Sequence, residues 1–125
     1  MKGKRPNRLN RLRDRLLQDP ATRTEYLNQR LISELGGIIS HYLEEHGVTQ
    51  TALAQAVGMH QPDLNALLRG RAEHVPTLAT LRRLSQGLGI GLAIHIDPNG
   101  VMRVERDWTA QAAAEEAREH LEVTR

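Results

Sequence analysis

The chain has 125 residues, enough for one small domain with extensions, and no cysteine, which excludes a disulfide framework and any thiolate metal site. Hydrophobic residues make up 39% of it but aromatics only 2%, with no Phe, so its core has to be built from Leu, Ile, Val and Ala. The net charge of +2 hides an asymmetry: residues 1–30 carry nine Lys/Arg against three acids, 31–70 one against four, 71–106 five against three, and 107–125 two against five. A basic head on a near-neutral body points to a polyanion at one end. No apolar run approaches membrane-spanning length, and the basic N-terminus lacks the apolar segment of a secretory signal. A cytoplasmic protein without membrane contact is expected.

Residues 1–19, MKGKRPNRLNRLRDRLLQD, start as a basic arm and turn helical from Asn7, where Leu9, Leu12 and Leu16 form a narrow stripe among Arg8, Arg11 and Arg15. The arm either tracks phosphates or docks its leucines on protein; the pattern alone leaves both open. Asp19-Pro20 is a helix start, N-cap then N1. From there Leu27, Leu31, Leu35, Ile38 and Tyr42 keep a helical stripe as far as Gly47. Gly36-Gly37 inside it costs about 1 kcal/mol per Gly relative to Ala. Two helices, or one that bends, are expected, the second from about Ser33 to His46.

Residues 49–70, TQTALAQAVGMHQPDLNALLRG, carry the strongest pattern in the chain. Leu53, Ala54 and Val57 give a short helix one apolar face, with a methyl-sized side chain where a second helix can cross closely. Gly58 suits the left-handed residue after that helix. A second short helix turns Leu64, Leu67 and Leu68 inward and Pro62, Asn65, Ala66 and Arg69 outward, with Gln61 and Asp63 at its leading end, and Gly70 closes it. Pro62 disfavours helical geometry in the residue before it and favours the first helical position, so Gln61 is expected at the N-cap. An outer face of amides, small apolar groups and Arg fits the major groove of DNA.

Through Gln50, Leu53, Ala54, Gly58, Gln61, Leu64, Leu67 and Gly70, followed by PTLATLRRLSQGLG (76–89), the sequence resembles the phage Cro/C1-repressor type of helix-turn-helix, the XRE-like family, over roughly residues 35–90. The resemblance implies a lambda-repressor-like bundle in which Gln50 caps the first helix against a phosphate while Gln61 and the residues after it probe bases. DPATRTEYL (19–27) is similar to the lead-in of HigA-type antitoxins, a subgroup of that family. The expected DNA-contacting set is Gln50 on phosphate, Gln61, Asp63, Asn65 and Ala66 on bases, and Pro62 on the same outer face. His60 stands at the turn before it, Arg69 and Arg71 on the backbone, and Lys2, Lys4, Arg5 and Arg8 in the arm. Asp63 suits the helix dipole but repels phosphate, and cytosine N4 is its natural donor on a base.

After the loop RAEHVP (71–76), which carries Arg71 and His74, the next helix is expected to bury Leu78, Leu81, Leu84 and Leu88 and to present Arg82 and Arg83. Residues 90–106 then alternate with period 2 around Asp97-Pro98-Asn99-Gly100, a type I turn ending in a Gly suited to the left-handed region. That three-residue loop pairs Asp97 with Val101, Ile96 with Met102, His95 with Arg103 and Ile94 with Val104. Leu92, Ile94, Ile96, Met102 and Val104 then share one face. HigA-like and HipB-like antitoxins append a similar strand or hairpin that joins two subunits. Residues 107–125 read as an Ala/Glu-rich helix from Thr109, with little to bury beyond Trp108, Ala112 and Leu121.

Six His invite a metal search, but none has partners at ligand spacing: His41 and His46 are five apart, which is no i,i+4 pair, and no nucleophile setting or phosphate loop appears. No enzyme, metal or cofactor is expected, and solvent or phosphate contact is the better account of the histidines. The expected architecture is mainly α: a basic arm and lead-in helix (1–30), a helix-turn-helix domain (31–90) and a β-hairpin dimerisation segment with a terminal helix (91–125), its repressor-like domain having five helices. The expected function is sequence-specific binding of double-stranded DNA by a homodimeric transcriptional repressor joined through residues 90–106. The alternative is an antitoxin that neutralises a protein toxin and autoregulates its operon.

Overall fold

In the computed structural model, which describes residues 8–123, the elements follow in the order α1 (Arg8–Leu16), α2 (Pro20–His46), α3 (Gln50–Val57), α4 (Gln61–Leu68), α5 (Leu78–Leu88), β1 (Leu92–Ile96), β2 (Met102–Arg106) and α6 (Trp108–Val123). The fold is a helix-turn-helix bundle with a two-stranded hairpin and a terminal helix appended.

α2 organises the bundle. Its start lies in local chemistry: the Asp19 carboxylate accepts the Thr22 backbone N–H at 3.0 Å and the Thr22 hydroxyl at 2.8 Å, and Pro20, with no N–H to satisfy, follows at N1. The bond from the Thr22 backbone N–H, helped by the hydroxyl, holds the Asp19 carboxyl below its ordinary pKa. Gly47, at φ 62°, ends the helix.

Gly36-Gly37 does not divide α2. The lead-in and the first helix of the bundle are one 27-residue element, so the bundle has four helices, α2–α5, where the sequence predicts five. Burial of Leu35 and Ile39 on either side of the glycines outweighs the roughly 1 kcal/mol each costs in propensity. Gly36 is there for a tertiary reason. A Cβ on it would stand 2.6 Å from the Leu67 carbonyl oxygen and 3.4 Å from Leu68 Cα, so only a glycine lets α4 cross α2 this closely. Gly37 faces open space.

The core fills the angle between α2 and α3–α5, with Leu35, Ile39, Leu64, Leu67 and Leu84 fully buried. Thr49 caps α3 by accepting the Ala52 N–H at 3.1 Å, and Thr77 caps α5 by accepting that of Thr80 at 3.2 Å. Leu84 and Leu88 of α5 are buried and Leu81 half-buried, but Leu78 is 78% exposed. Leu78 is the first residue after the cap, and that turn projects past the core. Leu68 is half-buried rather than buried.

The hairpin has the register expected, Ile94↔Val104, His95↔Arg103 and Ile96↔Met102, extended to Leu92↔Arg106. Gly100, at φ 84°, closes the turn, where the Asp97 carbonyl accepts the Gly100 N–H at 3.0 Å and the Asp97 side chain accepts the N–H groups of Asn99 and Val101. The hairpin lies lengthwise along α2. At its tip the Arg23 guanidinium donates to Asn99 O at 2.7 Å, midway the Val104 N–H donates to Glu34 Oε2 at 3.2 Å, and at its base the Arg106 guanidinium stands 5.9 Å from the Tyr42 ring. β2 rests on α2 and β1 is the outer strand. The five-residue apolar face is therefore only partly covered. Val104 is buried and Leu92 and Met102 are half-buried, while Ile94 is 36% and Ile96 69% exposed.

The terminal helices add little to the core. Leu9, Leu12 and Leu16 of α1 are 75%, 51% and 51% exposed, so among the described residues the stripe is left largely uncovered. α6 begins one residue before Thr109, where the Asp107 carboxylate accepts the Ala110 N–H at 2.9 Å and the Arg106 guanidinium lies 3.7 Å from the Trp108 ring.

Candidate nucleic-acid interface

α3 and α4 meet through a turn that the sequence specifies locally. Gly58 takes φ 68°, its N–H bonding back to α3, and Met59 N–H donates to Ala54 O at 3.0 Å. Leu53, Ala54 and Val57 from α3 and Leu64 and Leu67 from α4 are buried together, which fixes the crossing of the two helices. The methyl of Ala54 is the small group at that crossing. α4 is held from behind by α2 at Gly36, and the Gln29 side-chain amide donates to Gly70 O beyond its end.

The N-cap of α4 is His60, not Gln61. Its side chain makes no capping bond, Gln61 is already helical, and Pro62 sits in the second position of the helix. A proline is tolerated there because the first-turn N–H groups have no intrahelical acceptor in any case. Gln61, Pro62 and Asp63 are exposed at the leading end, Asn65 and Ala66 are half-buried on the next turn, and Arg69 is exposed as the C-cap. Arg71 is exposed in the following loop, its N–H bonded to Ala66 O at 2.7 Å.

Gln50 stands at the first position of α3, half-buried, and its Oε1 accepts the Asn65 Nδ2–H at 2.9 Å. Two side chains predicted for separate tasks are thus joined to each other. A cleft of about 550 Å³ runs beside α4, lined by Asp63, Ala66, Arg71, His74, Thr77 and Thr80 among others. The sequence does not single out the threonines, although a hydroxyl residue at Thr77 just ahead of the leucine stripe of α5 is a readable N-cap signal. Arg83 also comes close, its Nη1 donating to Gly58 O at 3.4 Å.

Gln50, His60, Gln61, Pro62, Asp63, Asn65, Ala66, Arg69 and Arg71 all fall on α3, α4, the turn between them or the loop that follows α4. Arg8 does not join them; it is exposed on α1, before α2 begins. Lys2, Lys4 and Arg5 lie outside the described residues. Three histidines at other positions have partners in the chain: His41 pairs with Glu45 at 3.1 Å, His46 stacks on Tyr42, and His95 meets Glu105 at 2.9 Å across the hairpin. Among the described residues no group of three or more His, Cys, Asp or Glu could hold a metal ion, and no helix is long and apolar enough to cross a membrane.

Residues 39–94, from the last turns of α2 into β1, match the helix-turn-helix family model, a little under half of the chain. No curated protein and no solved structure matches the chain. A helix-turn-helix domain is a DNA-binding regulatory module, and the match supports a DNA-binding transcriptional regulator.

Proposed function

We propose that the protein is a sequence-specific repressor that binds double-stranded DNA as a homodimer in the cytoplasm. The observation that carries this reading is the outer face of α4: Gln61, Pro62 and Asp63 exposed at its leading end, on a helix locked from behind by α2 and α3. In this reading α4 enters the major groove leading end first. Gln61, Asp63 and Ala66 face base edges, with Pro62 packed beside them and Asn65 on the turn behind. Gln50 donates to a phosphate. His60, Arg69 and Arg71 flank the groove and hold the backbone, while Lys2, Lys4, Arg5 and Arg8 add sequence-independent affinity through counterion release.

Homodimerisation is supported by the free edge of the hairpin. Asp97 N–H bonds to Val101 O at 3.0 Å and Asp107 N–H to Gly91 O at 2.8 Å, so odd-numbered residues of β1 make the bonds to β2. In an antiparallel pair the alternate residues then point their N–H and C=O groups outward. In β1 these are Leu92, Ile94 and Ile96, two of them with exposed aliphatic side chains. A second copy of the same edge satisfies both chains through one two-fold contact. The test is selection of bound duplexes from a randomised pool together with the solution mass. Recovery of a two-fold symmetric site by a protein of twice the chain mass supports the proposal; no enrichment from the pool overturns it.

The antitoxin alternative is favoured by one observation, the leucine stripe of α1 at 51–75% exposure, a surface suited to a protein partner. In that reading the same helix-turn-helix autoregulates an operon encoding a toxin. Co-purification of a protein encoded beside this gene, lost on Leu12→Asp substitution, would support it.

A further inference from the structure

We propose that Asn65 is a positioning residue that acts on DNA through Gln50 and reads no base itself. The inference rests on the DNA-binding reading above. Asn65 lies on α4 and Gln50 opens α3, fifteen positions earlier, and the bond from Asn65 Nδ2 to Gln50 Oε1 measures 2.9 Å. Both side chains are half-buried where the helices meet, whereas Gln61 and Asp63 on the same helix are exposed.

The chemistry of the pair assigns different tasks to its members. An amide offers one oxygen that accepts and one nitrogen that donates two hydrogens. The Gln50 oxygen is taken by Asn65, and the amide plane then carries Nε2 about 120° away from that contact. With its oxygen turned to Asn65, Gln50 directs its Nε2 donors outward, the polarity a phosphate oxygen requires. Asn65 cannot serve equally well as a base reader. Bidentate recognition of adenine needs the carboxamide extended to the floor of the groove, and a side chain with two torsions that reaches across to α3 does not extend there.

The bond also holds Gln50 in one of its many rotamers before DNA arrives. Ordering a side chain of that length is a recurrent cost of association. Removing the bond should weaken binding by about three- to ten-fold. The loss should be the same on every sequence, since what is weakened is a phosphate contact.

A double-mutant cycle on DNA binding tests this. Duplexes that wild-type protein enriches from a randomised pool, and the unselected pool itself, are titrated with wild type, Gln50→Ala, Asn65→Ala and the double variant. Circular dichroism confirms that each variant is folded. The expected result is that Asn65→Ala weakens both kinds of DNA by a similar factor, that base preferences on reselection are unchanged, and that the double variant binds no worse than Gln50→Ala. As a rescue, Asn65→Gln, which keeps the donor on a longer arm, should recover part of the loss only while Gln50 is present. Additive losses, or a changed base preference at one position with Asn65→Ala, overturn the inference and make Asn65 a base reader. Failure of the wild type to enrich any sequence overturns the DNA-binding reading and this inference together. Enrichment without coupling between the two residues overturns this inference alone.

Discussion

Gly36→Ala should destabilise the protein while Gly37→Ala stabilises it, although the two glycines are neighbours in one helix. Either substitution lowers the entropy of the unfolded chain and improves helix propensity, a gain of about 1 kcal/mol. At Gly37 nothing lies within 4 Å of the added carbon, so the whole gain is realised. At Gly36 the added carbon would stand 2.6 Å from the Leu67 carbonyl oxygen, which belongs to the backbone of α4 and cannot rotate aside. The contact needs more than half an ångström of relief, and α4 must move as a unit. Overpacking of this kind costs about 1–3 kcal/mol. Since the propensity gain is common to both variants, their difference isolates the clash. It is about 1–3 kcal/mol, or roughly 4–12 °C in melting temperature for a chain of this size. Thermal and urea unfolding followed by circular dichroism measure it. Because α4 is the helix displaced, Gly36→Ala should also weaken DNA binding at temperatures where it remains folded. Equal stability of the two variants would refute the close crossing of α2 and α4.

Deleting residues 1–15, which carry seven Lys/Arg and one acid, should flatten the plot of log K against log salt by about 3–6 units, with little change in sequence preference; an unaltered slope would remove the arm from the DNA. Ile94→Asp should convert a dimer into a folded monomer in sedimentation, since it places a charge on the apolar edge of β1 while leaving Val104 buried on α2; a dimer of unchanged mass would rule out that edge as the contact. Asp19 should contribute stability only while ionised. Its folded pKa is lowered, so its contribution is complete above the ordinary carboxylate value of about 3.9 and is lost as pH falls through the lower folded value. Asp19→Ala should therefore be less stable than wild type at neutral pH, and that gap should close under strongly acidic conditions. A gap that stays constant with pH would show that the carboxylate is not the source.

What could be read from the sequence was what local chemistry decides. Asp19-Pro20 begins a helix, Gly58 follows a helix with left-handed φ, and the Asp97–Gly100 turn fixes the hairpin register, each for reasons contained in a few consecutive residues. The misreadings share a cause in tertiary contact. Gly36-Gly37 reads as a break or a bend because propensity counts the cost of a glycine but not the helix that passes over it. Leu78 fits the leucine stripe of α5, yet the stripe runs one turn beyond the core it packs on. Apart from these misreadings, the bond from Asn65 to Gln50 could not be read because its partner is fifteen positions away on another helix. His41, His46 and His95 are exposed and have neighbours that only folding supplies.

The unbroken α2 has a consequence that two separate helices would not. One side of it carries α4 at Gly36, and another carries β2, through Glu34 and the Val104 N–H. These attachments are two residues apart on one rod, about 3 Å along its axis. A force applied to the hairpin is thus delivered to α4 within a single turn of helix rather than through a loop. Whatever binds the β1 edge fixes the direction of α4 in space. For a two-fold partner that means a set distance between two recognition helices, and a rigid α2 is what would let that distance match one turn of DNA, about 34 Å. A hinge at Gly36-Gly37 would have parted the Glu34 attachment from the second half of α2, where Ile39 and Leu43 are buried and Tyr42 stands near Arg106 at the base of the hairpin. The close approach at Gly36 seats α4 on α2, and the continuity of the helix through Gly37 keeps Tyr42, beyond it, in line with Arg106 at the base of the hairpin.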